Sequence, residues 1–215
     1  MGEDASSNQL DDLWDQIDAA VAEEDAFVKK SAIEELARRA ESLAHETGSA
    51  DAFYSLGYVL YFHPERTESG ALHARVDRAL LDAIKVDPHH ARAWLYLGHN
   101  AYDVGEFALA KRRFQRIADG ALPPYLDLKA KEMDVCCAIK TEGLRAAVLE
   151  FRRFVKIAEA HPSEDIWPKE LASCFREGLT GCDQASLPQL RELAKRLDAV
   201  GNFGPWFQQI FEASE

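Results

Sequence analysis

The apolar positions of the chain recur at helical spacing along most of its length. Leu10, Leu13, Trp14, Ile17 and Val21 fall on one stripe at three- and four-residue intervals, and Ile33, Leu36, Ala37, Ala40, Leu43 and Ala44 fall on another. That period puts each set on one side of a helix, so the N-terminal region is expected to form a helix pair. Residues 125–140 and 144–160 predict a second pair about the turn 141–143, with Ala147, Phe151 and Phe154 on the later helix. Further on, 171–179 reads as helix, and 187–200 as another with Ser186 as N-cap and Pro188 in its first turn. Trp206, Phe207, Ile210 and Phe211, following Pro205, form a last stripe, expected to close the end of a helical stack or to serve as a dimerisation or docking face.

Composition supports an all-α chain. Ala and Leu number 56, whereas Val, Ile and Thr number 22 and Gly plus Pro 20. Straight-chain residues keep their rotamer freedom on a helix and β-branched ones lose it. The uninterrupted apolar runs, typified by 58–62 and 135–139, fall far short of the roughly 20 residues of a membrane span. No basic-then-apolar leader opens the sequence. A soluble cytoplasmic protein, without membrane contact, is the expectation.

An internal repeat makes the architecture more specific. From Ala91 onward, Trp94 is followed by Leu97 and Gly98, then by Gly105, Phe107, Ala110, Phe114 and Pro123. An earlier copy has Phe53, Leu56 and Gly57 in the places of Trp94, Leu97 and Gly98, with Leu80, Ala83 and Pro88 after them. The pattern resembles the tetratricopeptide repeat (TPR), a helix–turn–helix of about 34 residues. Small residues such as Gly98 and Ala110 suit the close contact of two helices, large ones such as Trp94 and Phe114 fill the space beside them, and Gly105 makes the turn. Two departures stand out: Ala101 replaces the usual Tyr, with Tyr102 beside it, and Pro123 falls one residue late. The two Leu-Gly pairs are 41 residues apart, so about seven extra residues lie between the first repeat's helices, where residues 63–70 collect turn formers. A third copy at 125–162 lacks the Leu-Gly pair and has Lys131 and Glu132 there.

The resemblance implies a right-handed α-solenoid of about three helix pairs between capping helices. Residues 1–50 would be an acidic segment and N-terminal cap, 51–89 the first repeat with its inserted loop, 90–124 the second, 125–162 a degenerate third, and 163–215 the C-terminal cap, all in one domain. It also implies a concave groove lined by first helices, which binds a protein or peptide. The residues expected to line it are Tyr54, Tyr58 and Tyr61; Arg92, Leu95, His99, Tyr102 and Asp103; and Lys129, Met133 and Cys136. Tyrosine offers a large contact area at low entropic cost together with a hydroxyl, which suits recognition of a partner. TPR proteins that clamp a chaperone's C-terminal carboxylate use Lys and Asn where this chain has Tyr54 and Tyr58, so that specificity is not expected.

Charge alters the picture at one end. Residues 1–25 hold nine carboxylates and no Lys or Arg, which accounts for −9 of the net −12. The balance disfavours nucleic acid as a partner. The acidic segment is expected to be solvated and partly frayed, or to attract a basic partner. The basic residues Lys111, Arg112, Arg113, Arg116, Arg152, Arg153 and Lys156 are expected on a solvated outer face. Cys136, Cys137, Cys174 and Cys182 lack metal-site spacing and read as small apolar residues in a reducing compartment. His89 and His90 read as turn residues, and no catalytic motif is present, so neither metal nor cofactor nor enzymatic activity is expected. A non-catalytic adaptor is the leading expectation. The alternative is an immunity protein or chaperone that neutralises or holds a specific toxin or effector, the nine-carboxylate N-terminus suiting a basic one.

Overall fold

The computed structural model describes residues 3–162, 168–179, 184–201 and 206–212. The chain divides into two compact units, Met1–Val104 and Gly105–Glu215. The division falls between Val104 and Gly105, the turn expected from the sequence within residues 90–124.

The first unit contains α1 (Glu3–Ala22), α2 (Ala26–Thr47), α3 (Ala50–Tyr61), α4 (Gly70–Val86) and α5 (Ala91–Asp103). Local capping sets several of these boundaries. Asp25 Oδ1 accepts from the amides of Phe27 and Val28, both at 2.9 Å, and starts α2. Gly48 at φ 61° ends it, in a left-handed conformation that glycine adopts without steric cost. Ser49 and Ser69 cap α3 and α4 through the amides of Ala52 and Leu72. Each helix packs on the next, and α1, α3 and α5 also touch one another in that order. The acidic N-terminal segment is thus helical from Glu3, with Leu13 and Ile17 buried. On α2 the buried set is Ile33, Leu36, Ala37, Ala40, Leu43 and Ala44, the stripe expected from the sequence.

Close contact of α3 with α4 depends on Gly57. A Cβ there would lie 2.5 Å from Leu80 Cδ2 and 3.3 Å from the Leu80 backbone nitrogen. Trp94 is only partly buried, whereas Ala93, Leu95, Leu97, Asn100 and Ala101 of α5 are buried, and the Trp94 indole N–H donates to Pro88 O at 3.0 Å. The inserted stretch contains a short 3₁₀ turn, Arg66–Glu68, and folds back on its own unit. His63 and Arg66 are buried, and Lys30 Nζ reaches Glu65 Oε1 at 2.6 Å.

The second unit contains α6 (Phe107–Phe114), α7 (Pro124–Glu142), α8 (Leu144–Ala160), α9 (Lys169–Leu179), α10 (Leu187–Val200) and α11 (Gln209–Glu212). Helix α7 packs on α6, α8 and α9, and α8 packs on α10. Its aromatic core joins Phe151 and Phe175 at 4.8 Å between centroids, with Phe207 and Phe211 against Phe175 at 5.4 and 5.5 Å. Asp198 holds the last segment by accepting from the amides of Phe207 and Gln208 at 2.8 and 2.9 Å. Glu132, in the place of the missing Leu-Gly pair, is buried and accepts from the Leu171 amide at 3.3 Å. One expectation needs correction: Arg113 is buried and not solvated. Ser186 stands at the N-cap of α10 with Pro188 in the first turn, as expected, and its side chain makes no cap hydrogen bond. Cys136, Cys137 and Cys174 are buried and not joined in a disulfide, while Cys182 and Pro205 lie outside the described residues.

Candidate partner-binding face

Helices α1, α3 and α5, with the residues that cap them, bring a cluster of rings together in the first unit. Tyr54 and Tyr58 are one turn apart on α3, and both meet Trp14 of α1, at centroid distances of 5.4 and 5.2 Å. From α5, Tyr96 packs edge-on against Tyr58 at 4.8 Å and Tyr61 at 5.1 Å. Phe62 lies 4.9 Å from Tyr58, and His99 lies 6.2 Å from Tyr96. Edge-on pairing sets the positive rim of one ring against the negative face of another, which fixes ring orientation as well as burying area. Tyr58, Tyr61, Tyr96 and His99 remain half-buried, so the cluster has both a packed side and an accessible one.

Polar contacts fix the same rings. Burial holds the Tyr58 and Tyr96 phenols above their ordinary pKa. Tyr61 donates to Asp103 Oδ2 at 3.0 Å. Arg66 lies over the Tyr61 ring, 4.0 Å from its centroid, and donates to Asn100 Oδ1 at 3.0 Å and Asp103 Oδ2 at 2.6 Å. His90 binds the Ala93 amide through Nδ1 at 3.1 Å, and its Nε2 lies 3.1 Å from Asp51 Oδ1. An Nδ1 that accepts leaves the proton on Nε2, which donates to Asp51.

The expected site residues separate by burial. Tyr58, Tyr61 and His99 share the ring cluster, Tyr102 is half-buried, and Arg92 and Asp103 are exposed beside it. Tyr54, Leu95 and Met133 are buried, and the expectation that they line an open groove is corrected: Tyr54 is enclosed by Trp14 and Tyr58, and Leu95 points into the interior. In the second unit, Cys136 is fully buried, and Lys129 is tied to Glu132 Oε2 at 2.8 Å. Burial raises the Glu132 carboxyl pKa against the lowering effect of Lys129. Tyr96 is the ring that sequence reasoning missed. Its signal was the 92, 96, 99, 103 progression, one helical stripe that joins Arg92, His99 and Asp103.

Comparison with known proteins establishes the fold. No family model matches the chain, and no curated protein sequence matches it. A solved structure from a functional characterization of Pseudomonas aeruginosa pilF is similar, with a TM-score of 0.56 and 17% identity over 98% of this chain and 100% of that one. The likeness and the succession of packed helix pairs define an all-α fold of the TPR-like, α-solenoid class. No helix among the described residues is long and apolar enough to cross a membrane.

Proposed function

We propose that the chain is a non-catalytic interaction adaptor, and that Tyr58, Tyr61, Tyr96 and His99, with Arg92 at the rim, hold a segment of a partner protein. The observation behind this reading is the half-buried ring cluster, whose members are locked by edge-on packing and, at Tyr61, by a hydroxyl hydrogen bond to Asp103. Rings that are already ordered lose little further entropy when a partner covers them. The partner is a protein or peptide, with no nucleic acid, membrane or cofactor involved, and the setting is cytoplasmic.

Affinity capture from the native cell, comparing the natural chain with Tyr58→Ala/Tyr96→Ala/His99→Ala, tests the proposal. One or more proteins should be lost from the variant's capture while its helical circular dichroism is retained. Identical captures from two equally helical proteins would refute it.

A second reading has its own observation. Helix α1 presents Asp11, Asp12, Asp15 and Asp18 as exposed carboxylates on a folded helix. Such a surface suits an immunity protein or chaperone whose toxin or effector partner is basic, because complementary charge accelerates encounter. For the captured protein, Asp11→Asn/Asp15→Asn/Asp18→Asn should then slow association at low salt and flatten its salt dependence. An unchanged on-rate would rule this reading out.

A further inference from the structure

The accessible side of the ring cluster is bordered unequally by charge. On α1, Asp11, Trp14, Asp15 and Asp18 fall three and four residues apart, so exposed carboxylates and the half-buried indole share one stripe of the helix. Trp14 meets Tyr54 and Tyr58, and the acidic stripe therefore runs onto the cluster. Burial dominates the environment of those two phenols, and beyond it both feel the negative charge of Asp18 and the positive charge of Arg92. Tyr54 also feels Asp51, and Tyr61 feels Asp103.

Some of these charges are matched inside the unit. Asp103 accepts from Arg66 and Tyr61, Asp51 from His90, and Asp12 from Arg39. Asp11, Asp15 and Asp18 make no hydrogen bond or ion pair among the described residues, and neither does Arg92. Whatever covers the rings lies beside those carboxylates, which separates three kinds of side chain. An anionic one is repelled. An apolar one takes water from Asp18 and returns no hydrogen bond, which penalises the charged group. A cationic one gains twice, from the negative ring faces of Trp14 and Tyr58 and from the carboxylates beside them. Arg92 repels such a cation from the α5 edge and directs it toward α1.

We infer that the ring cluster receives a lysine or arginine side chain from the partner's segment, with Trp14 and Tyr58 supplying the ring surface and Asp15 and Asp18 the countercharge. The inference rests on the aromatic-face reading and specifies its occupant: a basic segment, held with its cation toward α1.

The test is an NMR titration of the full chain, observing the Trp14 indole N–H, the Tyr58 ring and the Asp15 and Asp18 carboxyl carbons. The probes are acetyl-Gly-Lys-Gly-amide and its arginine, norleucine and glutamate counterparts. The lysine and arginine peptides should shift all of these signals and bind about fivefold more tightly than the norleucine peptide, the combined effect of a cation–π contact and a surface ion pair. Their side-chain methylene protons should move upfield, as protons over ring faces do. Asp15→Asn/Asp18→Asn, at exposed positions, should bring the lysine peptide close to the norleucine one without altering helical content. Equal binding of the lysine and norleucine peptides at the rings overturns the inference and leaves the aromatic-face reading standing, as does an unchanged lysine preference in the Asp15/Asp18 variant. Tightest binding of the glutamate peptide also overturns it, and so do concentration-dependent shifts of the same signals without peptide, which would make a second copy of the chain the occupant. Ring signals unmoved by every peptide overturn both readings.

Discussion

Arg66 and Asp103 stand 37 residues apart in the chain, yet their side chains meet at 2.6 Å and close the inserted loop onto α5. Arg66 is buried, and it also donates to Tyr61 O and Asn100 Oδ1. Removing one member of a buried pair leaves the other short of donors, at a cost of about 3–5 kcal/mol when both are enclosed. Asp103 retains 26% side-chain exposure, which lowers the cost. Arg66→Met should therefore destabilise the chain by about 2–3 kcal/mol in urea denaturation, and Arg66→Lys, which keeps the charge without the fork, should fall between the two.

The hydroxyl of Tyr61, which donates to Asp103 Oδ2 at 3.0 Å, supports a smaller change. Tyr61→Phe keeps the ring and its edge-on contacts and removes one hydrogen bond, worth about 1 kcal/mol. The same denaturation measurement should show a loss of that size, and Tyr61→Ala a larger one as ring packing is also lost.

Asp134 supports a prediction in pH. Its folded pKa of about 6 lies above the ordinary value of 3.8, because burial penalises the charged form. The folded state therefore holds this proton more tightly than the unfolded chain does, and its stabilising contribution is complete below about pH 4 and lost as pH rises to 6. Asp134→Asn, which never ionises, should be more stable than the natural chain at pH 7 by up to about 3 kcal/mol. The difference should vanish near pH 4; urea midpoints at the two pH values measure it.

Gly57 and Leu80 give a steric prediction. The Cβ of Gly57→Ala would overlap Leu80 Cγ and Cδ2 at 2.5 Å, and overpacking of this kind costs about 1–3 kcal/mol. Combining it with Leu80→Ala should cost less than the sum of the two single changes, because the clashing atoms are then absent. Additivity in calorimetric or urea measurements would contradict the contact.

The sequence revealed most where a periodic pattern had only one structural interpretation. The face of α2 was legible residue by residue because a stripe of Leu, Ile and Ala at helical spacing has one way to be buried. The ring cluster was legible in part. Tyr58 and Tyr61 were in view, but a choice between the adjacent Leu95 and Tyr96 turns on about 100° of helix rotation, which the neighbouring α3 decides. Tyr54 looked available because nothing local reveals that Trp14, forty residues earlier, covers it. The Arg66 contacts to Asn100 and Asp103 join residues 34 and 37 positions apart, so no local pattern announces them. Trp94, conspicuous in the repeat pattern, proves to be a partly buried side chain fastened to Pro88.

The position of Trp14 has an optical consequence. Its indole lies 5.4 and 5.2 Å from the rings of Tyr54 and Tyr58, far inside the range over which excited tyrosine passes its energy to tryptophan. Light absorbed by those phenols therefore emerges as indole fluorescence, and unfolding restores tyrosine emission. The chain has a built-in spectroscopic reporter at its ring cluster, and any molecule that settles there can be followed without a label.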